Sequence, residues 1–239
     1  MIHNVKLIEK LLGQLDTKRK ADERAATRQL DDLIYPRYLC GGSATKIITV
    51  EHAARLGEEY FAKLRGTSIA DLLVDTAVNG DTKARSYAIG ALTSIGGDRS
   101  KDVLLCLLND PNAAIRNRAA SCCYRFSGDD IVGKLIHLLN DTDDGVVQSA
   151  VRTLGYLRVT AAVSDLMRLA RNKVWEIRSV AISSLGNLAD PGALQVVRDA
   201  LTDKHSAVRK SAKGALAQYD LKRRKEAWQQ HAAEWNNAD

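Results

Sequence analysis

The sequence predicts an all-α fold, a right-handed α-solenoid built from helix pairs that repeat every 31 residues. Five segments of the chain superimpose at this spacing, and their residue types agree column by column. A fixed period of about 20–50 residues is typical of solenoids, because each unit buries its apolar face only against its neighbours. The most regular columns are one of arginine, one of alanine and one of leucine: Arg85, Arg116, Val147, Arg178 and Arg209; Ala88, Ala119, Ala150, Ala181 and Ala212; Leu92, Cys123, Leu154, Leu185 and Leu216.

The first half of each copy has the pattern of an amphipathic helix of about 14 residues. Its apolar columns fall on one side of a helix that has about 3.6 residues per turn. Asp81, Asn112 and Asp143 precede these helices and are good N-caps, because their side-chain oxygens accept hydrogen bonds from first-turn N–H groups. Glycine or proline then ends the helix, as at Gly96 and Pro191.

A second helix of about 11 residues follows in each copy, since apolar residues again recur at helical spacing. In the copy that starts at Arg116 they are Val132, Leu135, Ile136, Leu138 and Leu139. Asparagine or aspartate ends these helices, at Asn79, Asp110, Asp141, Asn172 and Asp203. No segment between the turns has the alternating pattern of a strand. Each copy is therefore predicted to be a pair of antiparallel helices.

The register extends beyond the five clear copies at both ends. Upstream, Ala54 occupies the arginine position, and residues 69–74 carry the pattern of a second helix. Downstream, Trp228 falls in a core column, which predicts that residues 221–235 form the second helix of the last copy. The repeats are therefore expected to cover residues 48–239, as about six copies.

Residues 1–47 precede the repeats. Apolar spacing predicts two capping helices in this segment, at about residues 4–15 and 18–34. The connection from Tyr35 to Thr49 contains Pro36 and two glycines, so we expect an irregular loop there. Because each repeat buries its core against its neighbours, we expect the whole chain to fold as a single cooperative unit.

The consensus of the copies, D-x-x-x-x-[VI]-R-x-x-A-x-x-x-L-G, resembles the short HEAT-like repeat of the phycobilisome-lyase type. Residues 110–119 and 203–212 fit it closely, residues 172–186 begin with asparagine instead of aspartate, and one copy carries Val147 in place of arginine. The resemblance covers about residues 50–233 and implies a solenoid of HEAT-like helix pairs. It leaves the function open, because that family includes chromophore lyase subunits, adaptors, inhibitors and immunity proteins.

Composition bears on the compartment of the protein. The chain has no apolar run of about 18 residues, so we expect no membrane span. Its first residues, Met1 to Lys6, lack the pattern of a signal peptide. The four cysteines show no paired spacing, and Cys123 occupies a core column, as is typical of a reducing compartment. We therefore expect a cytoplasmic protein that has no membrane partner.

The positive charge of the chain is diffuse. Lys and Arg number 35 against 29 Asp and Glu, and no segment concentrates the excess. The one basic run, from Lys222 to Lys225, fits a solvated helix entrance. A solenoid that binds a polyanion is expected to carry a stripe of several cations, so a nucleic acid is a less favoured partner than a protein.

No residue pattern indicates catalysis, a cofactor or a metal site. The five histidines lack zinc-ligand spacing, and no G-x-S-x-G or phosphate-binding loop occurs. The segment from Asp141 to Gly145 resembles a calcium loop, but its glycine comes one place early and Arg152 stands where a ligating glutamate belongs. We therefore expect no cofactor, no metal and no enzymatic activity.

The arginine column has a structural explanation. Arg85, Arg116, Arg178 and Arg209 each follow, by six residues, the Asp or Asn that ends a second helix. A guanidinium group bonds carboxylates in a bidentate manner and also donates to carbonyl groups. We expect a ladder in which these arginines bond carboxylates and helix-end carbonyls of adjacent repeats. The gap at Val147 is tolerable in such a ladder.

The second helices carry a polar strip on the side that faces away from the first helices, which is usually the concave side in HEAT-like solenoids. Its residues change from copy to copy, while the core columns do not. A solvated surface that has no function varies in the same way, and this alternative stays open. We predict that the strip binds the partner through Asp102, His137, Arg168, Arg171 and Asp199.

Trp175 departs from the repeat, because the other copies carry a small or polar residue at its position in the turn between repeats. It is either a staple against the next helix or an exposed anchor of the kind that dominates interfaces. We include Trp175 in the predicted partner-binding set.

These patterns favour a non-enzymatic protein–protein interaction module, of adaptor, inhibitor or immunity type, that binds its partner on the curved solenoid surface. A nucleic-acid-binding solenoid is the alternative, although the arginines it would need are split between the first helices (Arg118, Arg152) and a second helix (Arg168, Arg171). The resemblance alone suggests a second alternative, a subunit of a bilin chromophore lyase.

Overall fold

The computed structural model of the protein describes residues 5–15, 24–30 and 68–236, and the side chains of the last helix as far as Gln230. All the regular structure in these ranges is helical, and no residue within them lies in a strand. The predicted all-α repeat fold is therefore confirmed.

The first compact unit spans Met1–Phe126. Its described helices are α1 (Val5–Gly13), α2 (residues 24–30), α3 (Ser68–Asn79), α4 (Thr82–Ile95), α5 (Asp98–Leu107) and α6 (Ala113–Cys122). α4 packs against α3 on one side and α6 on the other, and the second helix α5 contacts both α4 and α6. A short 3₁₀ turn, Cys123–Arg125, follows α6.

The second compact unit spans Ser127–Asp239. Its described helices are α7 (Asp129–His137), α8 (Asp144–Tyr156), α9 (Val163–Leu169), α10 (Trp175–Leu188), α11 (Leu194–Asp199) and α12 (Ser206–Asn236). The first helices α8, α10 and α12 pack side by side in that order, and the second helix α11 contacts both α10 and α12.

The first helices of the five copies start at a constant interval. α4, α6, α8, α10 and α12 begin at Thr82, Ala113, Asp144, Trp175 and Ser206, each 31 residues after the previous one. The 31-residue period of the sequence is therefore the spacing between the starts of successive first helices.

The predicted N-caps are present. The carboxylate of Asp81 accepts hydrogen bonds from two first-turn N–H groups of α4, and that of Asp143 accepts one from Val146. The side chain of Asn112 caps α6 in the same manner. Each cap satisfies N–H groups that have no acceptor within the first turn of a helix.

Three second helices, α7, α9 and α11, are shorter than the predicted length of about 11 residues, because they tighten into 3₁₀ helix at one or both ends. α7 has 9 residues and continues as the 3₁₀ turn Leu138–Asn140, and α11 has 6 residues and continues as Ala200–Thr202. Bonds of the 3₁₀ type satisfy helix-end carbonyls where the chain has to turn within a few residues.

The alanine and leucine columns form the core of both units. The five members of the alanine column are fully buried: Ala88, Ala119, Ala150, Ala181 and Ala212. The first four members of the leucine column are at most 2% exposed: Leu92, Cys123, Leu154 and Leu185. The fifth member, Leu216, is only half-buried.

First helices of the second unit approach each other closely where the repeat motif has glycine. A Cβ atom at Gly155 would collide with the side chain of Ser184, and one at Gly186 would lie 2.6 Å from the Cα of Ala215. Ser184 also donates from Oγ to the carbonyl oxygen of Val151 at 3.0 Å. Close approach of two backbones therefore requires the glycine at these positions.

The prediction for the last copy is wrong. Residues 221–235 do not form a separate second helix, because α12 runs unbroken from Ser206 to Asn236, and Trp228 is 71% exposed instead of buried. No glycine or proline stands between Leu216 and Trp228 to stop the helix, in contrast to the ends of α4 and α10. The basic run of residues 222–225 consequently lies inside a helix and not at its entrance.

Several predictions concern the N-terminal part of the chain. The predicted capping helices are helical at Val5–Gly13 and at residues 24–30. The predicted loop from Tyr35 to Thr49 and the upstream copy around Ala54 lie outside the described residues. The single cooperative unit, residues 1–239, stays a prediction.

Candidate functional site

Arg178 of the arginine column bonds one carboxylate and two carbonyl groups. Its Nε donates to Oδ2 of Asp203 at 2.7 Å and its Nη2 to Oδ1 at 2.9 Å, which makes a bidentate pair. Its Nη1 donates to the carbonyl oxygens of Asn172 and Lys173, at 2.9 and 3.1 Å. The side chains of Arg178 and Asp203 are 8% and 15% exposed, so water competes little for these bonds.

This pair shifts the titration of both of its members. The hydrogen bond from Arg178 lowers the pKa of Asp203 below its usual value, although burial opposes the shift. The backbone N–H of His205, which donates to Asp203 at 2.8 Å, lowers the pKa further. The same side-chain bond raises the pKa of Arg178, so both groups stay charged at neutral pH.

The other arginines of the column bond the same kinds of group. In the first unit, Arg85 pairs with the carboxylate of Asp110, and Arg116 donates to the carbonyl oxygen of Asp110 at 2.8 Å. In the second unit, Arg209 donates to the carbonyl oxygen of Asp203 at 2.8 Å. All four arginines therefore engage ends of the protein's own second helices.

The predicted partner-binding strip lies on exposed parts of the second helices. In the second unit, His137 ends α7, Arg168 lies on α9 with Arg171 two residues beyond its end, and Asp199 ends α11. All four of these side chains are exposed. Asp102 is also exposed, but it lies on α5 in the other compact unit.

Arg168 connects two successive second helices. Its Nη2 donates to Oδ1 of Asn140, just after α7, and to Oδ1 of Asp165 on its own helix, both at 3.0 Å. Arg168 is therefore partly occupied by acceptors of the protein itself. Sequence reasoning missed this contact, because Asn140 is 28 residues away and lies outside the core columns.

Arg171 and Asp199 border a depression of about 230 Å³. Thr202 and the Arg178–Asp203 pair also line it. The guanidinium group of Arg171 forms no hydrogen bond and no ion pair with any residue in the part of the chain that the structure describes. Two arginines with different roles thus meet at one depression: Arg178 is bonded within the fold and Arg171 is open to solvent.

Trp175 is the first residue of α10, and its ring stacks on the ring of His205. The ring centroids are 3.8 Å apart and the planes are inclined by 11°. His205 precedes α12, where its Nδ1 accepts a hydrogen bond from the N–H of Ala207 at 3.4 Å. Trp175 therefore contacts the next repeat, while 36% of its surface stays exposed.

The helix pairs match a known repeat family over more than half of the chain. The match to HEAT repeats covers residues 70–152 and 132–217. The chain belongs to the HEAT repeat family. No curated protein matches its sequence.

Solved structures with a similar fold are natural and designed repeat proteins. An engineered protein has a TM-score of 0.53 at 21% identity, over 90% of this chain and 96% of that one. A designed armadillo repeat protein in complex with the peptide (KR)4 has a TM-score of 0.51 at 18% identity, over 89% and 99% of the two chains. A chain of the complex of CpcE and CpcF of phycocyanin lyase from Nostoc sp. PCC7120 has a TM-score of 0.54 at 20% identity, over 62% and 98%. Identities this low show the shared fold alone.

Two of the three acidic residues of the segment that resembles a calcium loop accept backbone hydrogen bonds at the start of α8 in this HEAT repeat protein. Oδ1 of Asp141 accepts a hydrogen bond from the N–H of Asp143, whose own carboxylate caps α8. Among the described residues, no group of three or more His, Cys, Asp or Glu side chains is placed to hold a metal ion. Within the same ranges, no helix combines the length and the apolar character that a membrane crossing needs.

Exposed arginines of the second unit lie on both kinds of helix. Arg152 lies on the first helix α8, whereas Arg168 lies on the second helix α9. In the first unit, Arg118 on α6 donates from Nε to the carbonyl oxygen of Ser86 at 3.1 Å. The HEAT repeats therefore distribute these cations over two faces of a helix pair.

Proposed function

We propose that this HEAT repeat protein is a non-enzymatic interaction module that binds another protein through the second-helix face of residues 127–239. The observation that carries the proposal is the contrast between Arg171 and Arg178. Arg178 is bonded to a carboxylate and two carbonyl groups, whereas Arg171 has no partner among the described residues. An exposed guanidinium group beside a polar depression is available to a ligand.

The chemistry of the depression favours a carboxylate of the partner. A guanidinium group binds a carboxylate through two parallel hydrogen bonds, and the pair strengthens when the interface excludes water. The nearby carboxylate of Asp199 accepts a hydrogen bond from Nε2 of Gln195 at 2.8 Å, and it forms no ion pair with Arg171. We therefore expect an aspartate or glutamate of the partner to pair with Arg171.

The remaining predicted residues extend the proposed surface. Arg168 donates hydrogen bonds to Asn140 and Asp165, which hold its guanidinium group in one orientation. This reduces the entropy lost when the group contacts a partner. Trp175 contributes an exposed aromatic edge, a residue type that is enriched at the energetic centre of interfaces. His137 completes the proposed set within residues 127–239, and the predicted role of Asp102, which lies in the other unit, stays a separate prediction.

The designed armadillo repeat protein supports the proposal by analogy, since it was solved with the peptide (KR)4 bound. That peptide is basic, whereas the second-helix face of this chain carries Arg168 and Arg171. The ligand expected here therefore has the opposite charge.

We propose no catalytic role for the chain. The HEAT repeat fold is typical of scaffolds, and the likeness to the phycocyanin lyase complex, at 20% identity, extends to the fold alone. Adaptor, inhibitor and immunity functions all lie within the proposal, because each needs a surface for one protein partner.

The proposal is tested with the partner that the purified protein captures from its native cell, followed by calorimetric titration. The variants are Arg171→Glu and its matched control Arg152→Glu, an identical charge change at an exposed residue of α8. We expect Arg171→Glu to weaken binding by about tenfold or more, because a salt bridge at the interface becomes a repulsion. Arg152→Glu should change the affinity by less than about threefold.

Melting curves of both variants should match that of the wild type, since both side chains are exposed. Unchanged affinity of a normally folded Arg171→Glu variant, combined with a loss in Arg152→Glu, would move the site to the first-helix face. Equal losses in both variants would indicate diffuse electrostatic binding and would favour the nucleic-acid alternative.

A further inference from the structure

The last repeat of the chain has a first helix but, among the described residues, no second helix beside it. In the preceding copy, the second helix α11 packs against both α10 and α12. Beside α11, none of the described residues takes the corresponding place on α12, because α12 continues unbroken through residues 221–236. The consequence is visible at Leu216, which is half-buried although Leu154 and Leu185 of the same column are fully buried.

A groove of about 430 Å³ marks this place, between α11 with its preceding turn and the middle of α12. Its apolar lining comes from Pro191, Leu194, Leu216 and the ring of Tyr219. Tyr219 is fixed in the groove, because its hydroxyl donates to the carbonyl oxygen of Asp190 at 2.7 Å. Burial, together with the charge of Asp190, raises the pKa of Tyr219 to about 12, so the ring stays neutral.

The rim of the groove carries three cations, Arg198, Lys222 and Arg223, and two carboxylates, Asp220 and Glu226. Arg198 and Arg223 line it, and Lys222 donates to the carbonyl oxygen of Ala189 at 3.0 Å. Asp220 forms an ion pair with Arg223 at 3.4 Å. Arg198, in contrast, has no hydrogen bond or ion pair with any residue that the structure describes.

We propose that this groove docks an amphipathic helix of a partner protein, with apolar residues on one face and acidic residues along its flank. A helix is the shape that fits, because the groove lies where each preceding copy places its second helix. An acidic flank complements the unpaired Arg198 on the rim and the basic run of α12. This surface is separate from the depression at Arg171, so it does not depend on the function proposed above.

The chain's own residues beyond Tyr219 are poorly suited to fill the groove. A second helix needs apolar residues in the five columns that hold Val132, Leu135, Ile136, Leu138 and Leu139 in an earlier copy, and the corresponding residues here are Lys225, Trp228, Gln229, His231 and Ala232. Polar residues in three of these five columns make burial of this segment unfavourable. A second copy of the chain would offer the same residues, so the helix is expected to come from a different protein.

The distal half of α12 extends the proposed surface. Every side chain from Leu221 to Gln230 is exposed, including Leu221 at 58% and Trp228 at 71%. These two residues are seven apart and therefore lie on one side of the helix. Arg224 and Lys225, three and four residues after Leu221, flank that side. A large exposed tryptophan on a basic helix is suited to contact the end of a bound acidic helix.

The test uses the full chain and three synthetic helical peptides of about 16 residues. One has leucines at helical spacing flanked by glutamates, the second has lysines in place of the glutamates, and the third has serines in place of the leucines. Binding is measured by fluorescence anisotropy of labelled peptide. We expect the leucine–glutamate peptide to bind at least about tenfold more tightly than either of the others.

The protein variants are Arg198→Glu, Leu216→Gln and the matched control Lys213→Glu, an exposed residue of α12 outside the groove. Arg198→Glu should lower the affinity for the glutamate peptide and raise the affinity for the lysine peptide. Leu216→Gln should lower the affinity for both peptides. Lys213→Glu should bind as the wild type does. Neither Arg198 nor Leu216 lines the depression at Arg171, which separates this test from that of the proposed function. Because the side chain of Arg198 is exposed, we expect the Arg198→Glu variant to fold normally. It therefore tests the groove even if Leu216→Gln lowers the melting temperature.

Three results would overturn the proposal. The first is equal affinity of the glutamate and lysine peptides, and the second is absence of binding by any peptide. The third is self-association of the protein that Leu216→Gln abolishes, which would assign the groove to a second copy of this chain.

Discussion

Arg178 and Arg171 are seven residues apart, and the difference between them comes from their neighbours. Every described bond of Arg178 goes to groups fixed at the ends of second helices, so the side chain stabilises the stacking of repeats. Arg171 faces the same depression from its rim and meets no such group. Residue type alone therefore does not separate a structural arginine from a candidate binding arginine.

We expect Arg178→Ala to lower the free energy of unfolding by about 2–3 kcal/mol, because it leaves the largely buried carboxylate of Asp203 without its cation. Arg171→Ala is the matched control, and it should change the stability by less than about 0.5 kcal/mol. The measurement is urea denaturation followed by far-UV circular dichroism. Equal stability of the two variants would show that the arginine column does not stabilise the fold.

Acidification should remove the contribution of this pair. The folded-state pKa of Asp203 is lowered by its bond with Arg178, so the carboxylate stabilises the fold fully above its unfolded-state pKa of about 3.9. The contribution is lost as the pH falls through the lower, folded-state pKa. Between about pH 5 and pH 2, the wild type should therefore lose more free energy of unfolding than Asp203→Asn. Parallel pH profiles of the two proteins would contradict the assignment.

The gap in the arginine column has a matching gap in its partner column. Val147 is 4% exposed, and Asn172 stands 25 residues after it, where Arg178 has Asp203 at the same separation. Asn172 instead accepts a hydrogen bond from the N–H of Val174 at 2.8 Å. Because both charges are absent together, no buried charge is left unpaired, and the ladder tolerates the gap.

At the scale of the helices, the contact between neighbouring first helices depends on small residues. Gly186→Ala should destabilise the protein by about 1–3 kcal/mol, because the new methyl group meets the backbone of Ala215. Gly133→Ala and Gly214→Ala are matched controls inside helices, since nothing lies within 4 Å of a Cβ atom there. Both should stabilise the protein by about 0.5–1 kcal/mol. Thermal melts that rank the three variants otherwise would contradict this account of helix contact.

The two halves of α12 should respond differently to substitution. We expect Trp228→Ala to change the free energy of unfolding by less than about 0.5 kcal/mol, because its side chain is 71% exposed. Leu185→Ala on the neighbouring α10 should cost about 2–5 kcal/mol, because that leucine is fully buried. Chemical denaturation measures both effects. A large loss in Trp228→Ala would restore the prediction that residues 221–235 pack as a second helix.

At the scale of the whole molecule, the excess of positive charge sets an upper limit on binding to nucleic acid. The net charge of +6 is dispersed, and exposed arginines lie on both first and second helices. We expect duplex DNA to bind more weakly than about 1 µM at about 0.15 M salt, with affinity that falls steeply as salt rises. Fluorescence anisotropy at several salt concentrations measures both quantities. Tighter binding at that salt concentration would rank the nucleic-acid alternative above the protein-binding proposal.

Local patterns were sufficient to predict most of the architecture. Helix starts at Thr82, Ala113 and Asp144 follow from caps and apolar spacing within one or two turns of the chain. The same reasoning failed for Trp228, because three of the five core columns of that segment hold polar residues, Lys225, Gln229 and His231, which oppose burial of the helix. The exposure of His137, Arg168, Arg171 and Asp199 followed from their place in the repeat, whereas their binding role stays a prediction.

The sequence by itself determined the family, the 31-residue interval and the core columns, because each copy repeats the same local signals. Only the tertiary structure decided which polar side chains are occupied and which apolar ones are uncovered. Arg168 is bonded to Asn140, 28 residues away, and Leu216 is only half-buried because α12 continues unbroken to Asn236. Hydrogen bonds and burial depend on groups that are distant in the chain, and these become neighbours only when the repeats stack.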